Sequence, residues 1–134
     1  MTGAHDSALR VLLVDDEPDQ VELYRYALED AGYVVVTAAG GDAAIAIARD
    51  VRPAVVVLDL RLRDIDGWQV CAALKVDSRT SAIPIVMLTA AASPTLAQDA
   101  ARAGCAAALL KPCYPADLLR TMRAVIAAAQ KFGV

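Results

Sequence analysis

The sequence has few aromatic residues, few cysteines and no long apolar run. Aromatic side chains make up 4% of the 134 residues, whereas the hydrophobic share is 57%. A core of this composition must be packed from Val, Leu, Ile and Ala, which favours helices packed tightly on a sheet. The length corresponds to one domain of ordinary size, which needs neither metal nor disulfide to fold.

The absence of a long apolar segment and of excess basic charge excludes several classes of function. The longest nearly uninterrupted apolar stretch, 83–92, contains Pro84 and is too short to span a bilayer. The 13 basic and 16 acidic residues give a net charge of −3, which supplies no electrostatic footprint for nucleic acid. The first residues lack the features of a signal peptide. We expect no membrane partner, no direct nucleic-acid binding and a cytoplasmic location.

The three cysteines, Cys71, Cys105 and Cys113, form no recognisable framework. Their number is odd, and they lack CxxC spacing and histidine partners. Neither a disulfide scaffold nor a zinc site is therefore indicated. We interpret them as reduced, small apolar residues.

Five aliphatic runs, each followed by a stretch of helical periodicity, organise the chain. The predicted strands are 9–14, 34–38, 55–58, 83–88 and 107–110. The runs at 55–58 and 85–88 are apolar at every position, which is typical of parallel strands covered on both faces. Right-handed crossovers then place helices on both sides of the sheet, giving a three-layer (βα)5 fold of the α/β class.

Proline and glycine mark the ends of the predicted helices. Pro18, Pro94 and Pro115 suit a first helical turn. Ser93 before Pro94 is interpreted as an N-cap, and Gly104 as the stop signal of the same helix.

Charged and polar residues gather at the carboxyl ends of the predicted strands. Asp15 and Asp16 follow the first strand, Asp59 the third, Thr89 the fourth and Lys111 the fifth. In an open α/β sheet, ligands bind at this edge, where the strand order reverses. We therefore expect these residues to form one site.

Three carboxylates, a hydroxyl and an ammonium group in one site indicate phosphoryl chemistry. Two carboxylates about 5 Å apart repel by roughly 3 kcal/mol at an effective dielectric of about 20, so the acidic group needs a counterion. Oxygen-only ligands favour Mg²⁺ as the cofactor. Lys111 supplies a positive charge for phosphate oxygens and Thr89 a hydroxyl donor, which leaves one carboxylate free as acceptor or nucleophile.

The motifs that contain these residues resemble the receiver domain of bacterial two-component response regulators over nearly the whole chain. They are Val-Leu-Leu-Val-Asp15-Asp16-Glu17-Pro18, Val-Val-Val-Leu-Asp59-Leu, Asp66-Gly67, Met87-Leu88-Thr89-Ala90 and Lys111-Pro112, the last matching a cis proline of the family. The resemblance implies a flavodoxin-like fold with a five-stranded parallel sheet in the order 2-1-3-4-5.

The resemblance also assigns roles at the site. Asp59 would accept a phosphoryl group from a sensor histidine kinase, a histidine phosphotransfer protein or a small phosphodonor. Asp16 would bind Mg²⁺ directly and Asp15 largely through water, with Asp59 and the backbone carbonyl of Arg61 as further ligands.

Several positions would transmit or tune the signal. Thr89 and Lys111 would move toward the phosphoryl oxygens and alter the face of helix 4, strand 5 and helix 5, where a downstream effector protein would bind. Ala108 stands where the family often has an aromatic residue, so we expect a weaker or differently routed switch. Arg61 and Ala91 correspond to positions that tune phosphoryl lifetime, and Arg61 is expected to slow hydrolysis.

The loop after Asp59 also departs from the family pattern. Arg63 replaces a common proline there, from which we expect a more mobile loop. For the whole chain, we expect a mobile leader over 1–8, one receiver domain over 9–131 and no output domain. Homodimerisation stays open.

Three alternatives compete with a phosphoacceptor that is not an enzyme. An aspartate-nucleophile phosphatase would need a second Asp two residues after the nucleophile, where this sequence has Arg61. A flavodoxin-like binding protein would need phosphate-binding donors where this chain has Asp-Asp-Glu-Pro-Asp, which repels phosphate. A phosphorylation-independent interaction module would not need the acidic set.

Overall fold

The structure, a computed structural model that describes residues 8–132, alternates five strands with five helices. The strands are β1 (Arg10–Val14), β2 (Val34–Ala38), β3 (Val55–Leu58), β4 (Ile85–Thr89) and β5 (Ala107–Leu110). The helices are α1 (Pro18–Asp30), α2 (Gly41–Val51), α3 (Gly67–Val76), α4 (Leu96–Arg102) and α5 (Pro115–Phe132).

All five strands are parallel and lie in the order β2-β1-β3-β4-β5, which confirms the predicted fold class and topology. The strand order reverses between β1 and β3, whose last residues, Val14 and Leu58, are partners in register. The residues that follow these two strands are therefore brought side by side at the carboxyl edge.

Alternate strand residues point to opposite faces of the sheet and build two cores. Val11 and Leu13 of β1 pack with α1 and α5, whereas Leu12 and Val14 pack with α2, α3 and α4. All four side chains are at most 2% exposed, and each fully buried aliphatic side chain contributes roughly 1.5–3 kcal/mol. Because both faces are covered, the central strands are apolar throughout, as the sequence pattern indicated.

Two predicted boundaries differ from the structure by two residues, and in addition β1 begins and β4 ends one residue later than predicted. The fourth strand begins at Ile85 and not at residue 83, since Pro84 has no N–H to donate to a neighbouring strand. The prediction that Ser93 and Pro94 begin the fourth helix was wrong, because α4 begins at Leu96. A turn precedes it, in which Ser93 Oγ accepts from Thr95 N at 3.2 Å.

The leader predicted over 1–8 lies, apart from Ala8, outside the described residues. Among the helices within 8–132, none combines the length and apolar character needed to cross a membrane.

Candidate functional site

Asp15 and Asp59 are neighbours because the strands that precede them are hydrogen-bonded. Each aspartate directly follows the in-register pair Val14 and Leu58. The backbone N–H of Asp59 donates to Val14 O at 3.1 Å, and that of Asp15 donates to Ala38 O at 3.1 Å. Both carboxylates are nearly buried, with residue exposures of 5% for Asp15 and 8% for Asp59.

Lys111 links the two aspartates. Its Nζ atom donates to Asp15 Oδ2 at 2.5 Å and to Asp59 Oδ2 at 3.1 Å, across 96 and 52 residues of sequence. Its backbone N–H donates to Thr89 O at 2.9 Å, which continues the pairing of β4 with β5. The Lys111–Pro112 peptide bond is cis.

The protonation of Lys111 reflects opposing effects. Burial lowers the pKa of Lys111, while hydrogen bonds and charges from Asp15 and Asp59 raise it, and the net result is a pKa above its ordinary value. The remaining carboxylate oxygens also have donors: Asp15 Oδ1 accepts from Glu17 N at 2.9 Å and Asp59 Oδ1 from Arg61 N at 3.2 Å. Each of the two buried carboxyl groups is thus hydrogen-bonded at both oxygens, and Lys111 is the partner that they share.

Asp16 has a different partner. Its Oδ2 lies 3.5 Å from Nε of Arg63, and the side chains are 22% and 86% exposed. A pair this exposed contributes at most about 1 kcal/mol. In the sequence Arg63 stands out only as a replacement for a common proline, and no local signal linked it to Asp16.

An open cleft of about 490 Å³ joins these groups, and its wall includes Asp15, Asp16, Asp59, Arg61 and Lys111. Within 8–132, no three acidic, histidine or cysteine side chains are grouped as a ready-made metal cage. The donors on the cleft wall nevertheless suit a hard divalent ion, because three carboxylates line the cleft and carboxylate oxygens are ligands that such an ion prefers.

Thr89 lies beside the site, but its side chain takes no part in the hydrogen bonds that join Lys111 to Asp15 and Asp59. It is fully buried, and its Oγ1 accepts from Ala91 N at 3.1 Å. Ala90 lines the cleft instead. The structure therefore brings Asp15, Asp59 and Lys111 into contact, while Thr89 contacts Lys111 through the main chain.

Ala108 lies next to Met87 in the β4–β5 ladder and is half-buried against the core beneath α2, α3 and α4. It offers a single methyl group at the position where the family often has an aromatic ring.

Tyr24 of α1 also lines the cleft, although nothing in the sequence pointed to a place for it at this site. It is 2% exposed, and its hydroxyl donates to Cys113 O at 3.0 Å. Burial is the main cause that raises the pKa of Tyr24. The bond joins α1 to the segment after Lys111, but the apolar periodicity of α1 gave no sign of that partner.

Gly67 allows the loop after Asp59 to turn back closely. A Cβ atom at this position would lie 2.6 Å from Asp59 O and 2.8 Å from the Cα of Leu60. Asp66 and Gln69 form a capping box that begins α3 at this point. The Asp66-Gly67 turn thus packs directly against the backbone of Asp59.

Sequence comparisons find similarity along most of the chain. The family model described as Response regulator receiver domain matches residues 11–123. Protein PilH of Pseudomonas aeruginosa is 35% identical over 118 residues, which cover 88% of this chain and 98% of PilH. Other curated regulators, 34–39% identical, are longer proteins of which the chain spans 26–49%.

Solved structures are similar over the same extent. The chemotaxis response regulator CheY4 of Vibrio cholerae has a TM-score of 0.82 at 34% identity, covering 89% of this chain and 99% of that one. The receiver domain of the sensor histidine kinase PA1611 of Pseudomonas aeruginosa has a TM-score of 0.83 at 28% identity, covering 90% and 99%. In that structure a magnesium ion is coordinated in the active site cleft.

Proposed function

This chain belongs to the response regulator receiver domain family of two-component signalling, and from that membership we propose that Asp59 accepts a phosphoryl group in a magnesium-dependent reaction. Receiver domains are signalling domains, and in this proposal the chain assists only its own phosphorylation and dephosphorylation. The donor is a sensor histidine kinase, a histidine phosphotransfer protein or a small phosphodonor.

The observation that carries the proposal is the contact of Lys111 Nζ with both Asp15 and Asp59. A phosphoryl group on Asp59 adds a charge of about −2 next to Asp15. A largely buried ammonium group already in contact with the acceptor carboxylate offsets part of that charge. An aspartate that only capped a helix would not need such a partner.

In the transfer step, a carboxylate oxygen of Asp59 attacks phosphorus. The bond between phosphorus and the donor imidazole nitrogen breaks, and a P–O bond to Asp59 forms. The Arg61 N–H holds Asp59 Oδ1 in place, while Lys111 follows the negative charge onto the phosphoryl oxygens. Thr89, whose hydroxyl now accepts from Ala91 N, would donate to one of those oxygens after a local rearrangement.

Asp15, Asp16, Asp59 and the backbone carbonyl of Arg61 would hold Mg²⁺, which when bound neutralises negative charge on the transferring phosphoryl oxygens. The fit rests on the oxygen donors that line one cleft and on the excess of carboxylates over buried cations there. The magnesium ion in the similar PA1611 receiver domain also supports this assignment.

We further propose that the signal leaves through the face of α4, β5 and α5, where a downstream effector protein binds. The backbone bond between Lys111 and Thr89 connects the acceptor site to the β4–β5 edge of that face. Ala91, two residues after Thr89, and Arg61 would set how readily water reaches the phosphoryl group.

The decisive experiment is phosphorylation of the full chain with a small acyl phosphate donor, followed by intact-mass measurement. We expect a gain of one phosphoryl group that needs Mg²⁺ and is lost in Asp59→Asn. Asp50→Asn, which removes an exposed carboxylate from the last turn of α2, is the matched control and should be phosphorylated like the parent.

The same experiment separates the alternatives. Equal phosphorylation of Asp59→Asn and the parent would contradict the acceptor assignment. A folded parent that gains no mass from either the small donor or a kinase phosphohistidine would favour the phosphorylation-independent interaction module. Repeated turnover of phosphate esters would favour the phosphatase.

A further inference from the structure

Cys71 and Cys105 lie side by side between α3 and the turn that leads into β5. Their Sγ atoms are 3.4 Å apart, although 34 positions separate them in the sequence. Cys71 is completely buried and Cys105 is half-buried against the same core. The pair lies near the amino end of β5, whereas the acceptor cleft, which Cys113 lines, is at the carboxyl edge.

The hydrogen bonds of the pair make the two thiols unequal. Cys71 Sγ donates to Ala103 O at 3.3 Å, so the hydrogen between the two sulfurs belongs to Cys105. That hydrogen bond lowers the pKa of Cys71, with a smaller contribution from the charge of Lys75 and against the effect of burial. The contact with Cys71 and burial raise the pKa of Cys105. Cys71 is thus the better nucleophile of the two.

A hydrogen-bonded turn holds Cys105 in this position. Gly104 has a φ of 92°, a conformation that favours glycine. The backbone N–H of Gly104 donates to Ala101 O at 3.1 Å, and that of Cys105 donates to Ala100 O at 2.9 Å. The proximity of the sulfurs therefore follows from main-chain geometry at the end of α4.

We propose that Cys71 and Cys105 are a site of reversible oxidation, at which a hydroperoxide converts the two thiols into a disulfide. An S–S bond of about 2.05 Å requires the sulfurs to approach by about 1.4 Å. This site is independent of the proposed phosphoryl acceptor, since neither cysteine lines the cleft.

The electrons and atoms balance with hydrogen peroxide as the oxidant. Cys71 is the better nucleophile but is completely buried, so the half-exposed Cys105 sulfur is the one that peroxide reaches. As this sulfur loses its proton it takes up one peroxide oxygen, the O–O bond breaks, and a sulfenic acid and water result. The Cys71 sulfur then attacks the Cys105 sulfur and displaces the second oxygen as water. Two electrons pass from the thiols to the peroxide, and the hydrogens of both thiols end in water.

The bond would join α3 to the turn between α4 and β5. Because it closes a loop of 34 residues, it restricts the unfolded chain, and we expect the midpoint of thermal unfolding to rise by about 7–14 °C.

The test treats the full chain and Cys113→Ser with hydrogen peroxide and measures intact mass and tryptic peptides without reductant. Trypsin does not cleave before Pro112, so Cys105 and Cys113 share one tryptic peptide in the parent, and the substitution makes the assignment unique. We expect the loss of two hydrogen atoms, a peptide pair linked through Cys71 and Cys105, a higher unfolding midpoint, and reversal of all three by dithiothreitol.

Cys105→Ser provides the matched variant, because it changes the half-exposed partner and leaves the buried one in place. It should lose both the linked peptides and the rise in unfolding midpoint, and Cys71→Ala tests the same bond from the other side. A bond to Cys113, a dimer between two chains, a sulfinic acid on Cys105 with Cys71 still free, or unchanged thiols in a folded protein would each overturn the proposal.

Discussion

At the scale of single residues, Lys111 determines the electrostatics of the cleft. It contacts two nearly buried carboxylates that come from different strands. Removing one member of such a set leaves uncompensated buried charge, which is far more costly than losing an exposed ion pair. The ion pair of Asp16 with Arg63 is exposed. Replacing Arg63 by another cation at Asp16 therefore costs little free energy.

Arg61 carries a prediction at this scale. Its side chain is exposed and lines the cleft beside Asp59, and we predict that it shields a phosphoryl group there from water. We expect Arg61→Ala to lose the phosphoryl group roughly threefold faster than the parent, about 0.7 kcal/mol in the barrier. The measurement is the decay of the phosphorylated mass after the donor is removed.

Arg61→Lys serves as the control because it keeps a long, positively charged side chain, and its decay should stay close to that of the parent. An Arg61→Ala variant that loses phosphate no faster than the parent would refute the shielding role.

At the scale of elements, α2 begins with a cap from a distant loop. Its own N-cap residue, Gly40, has no side chain to offer. The carboxylate of Asp64 accepts from Gly41 N at 2.8 Å and Asp42 N at 3.0 Å, 23 and 22 residues away. The loop after β3 is thereby attached to the start of α2, where the helix dipole favours negative charge.

This cap predicts a pH dependence of stability. Backbone hydrogen bonds from Asp42 and Gly41 lower the pKa of Asp64 to about 2, whereas in the unfolded chain it is roughly 3.9. Since the folded pKa is the lower one, the stabilisation is present above about pH 4 and is lost as the pH falls through about 2.

Urea unfolding of the parent and Asp64→Asn between pH 7 and pH 2 tests this point. We expect the difference in unfolding free energy to favour the parent near neutral pH and to shrink toward pH 2. Asp50→Asn, at the other end of the same helix, provides the comparison. A difference for Asp64→Asn that stays constant over the whole range would contradict the capping role.

At the scale of the whole molecule, the acidic cleft and the cysteine pair lie at opposite ends of the sheet's strands. The acidic cleft lies at the carboxyl ends of β1, β3 and β5, and the Cys71–Cys105 pair lies near the amino end of β5. Between them, the β4–β5 edge has Thr89 fully buried and Ala108 half-buried. A relay from the cleft to α4 through this edge has only small side chains to act through.

We therefore predict a weak response of α4 to phosphorylation. Alanine has no side-chain torsion with which to fill space when Thr89 moves, so the amide shifts of Leu96–Arg102 should change less in the parent than in Ala108→Tyr. NMR spectra with Mg²⁺, with and without a beryllium fluoride phosphoryl mimic, measure this difference. Unchanged α4 shifts in both proteins, with changed shifts at the cleft, would count against any relay through β5.

Much of the fold followed from periodicity. The fully apolar run 55–58 predicted a central parallel strand, and Pro115 marked the start of α5, as the structure confirms. The start of α4 was predicted wrongly, because Ser93 and Pro94 belong to a turn that precedes the helix. The same residue types favour a turn and a helix N-cap, so the sequence did not distinguish the two.

For the site, the sequence was enough to predict that Asp15, Asp59 and Lys111 lie at one edge of the sheet, because each directly follows a predicted strand. In the structure Lys111 is hydrogen-bonded to both aspartates. Their roles in phosphoryl transfer stay predictions. The cap from Asp64, the pair of Asp16 with Arg63, and the bond from Tyr24 to Cys113 O had no local signal, because each joins segments whose separation in sequence says nothing about their distance in space.

The sequence alone determined which segments become strands and helices and which end of each strand bears acid, hydroxyl or amine, because these depend on period and on nearest neighbours. Only the tertiary structure decided which of those groups touch. Strand order and helix packing bring Lys111 to residues 52 and 96 positions away and Cys105 to one 34 positions away, and hydrogen bonds and sulfur contacts act only over a few ångströms.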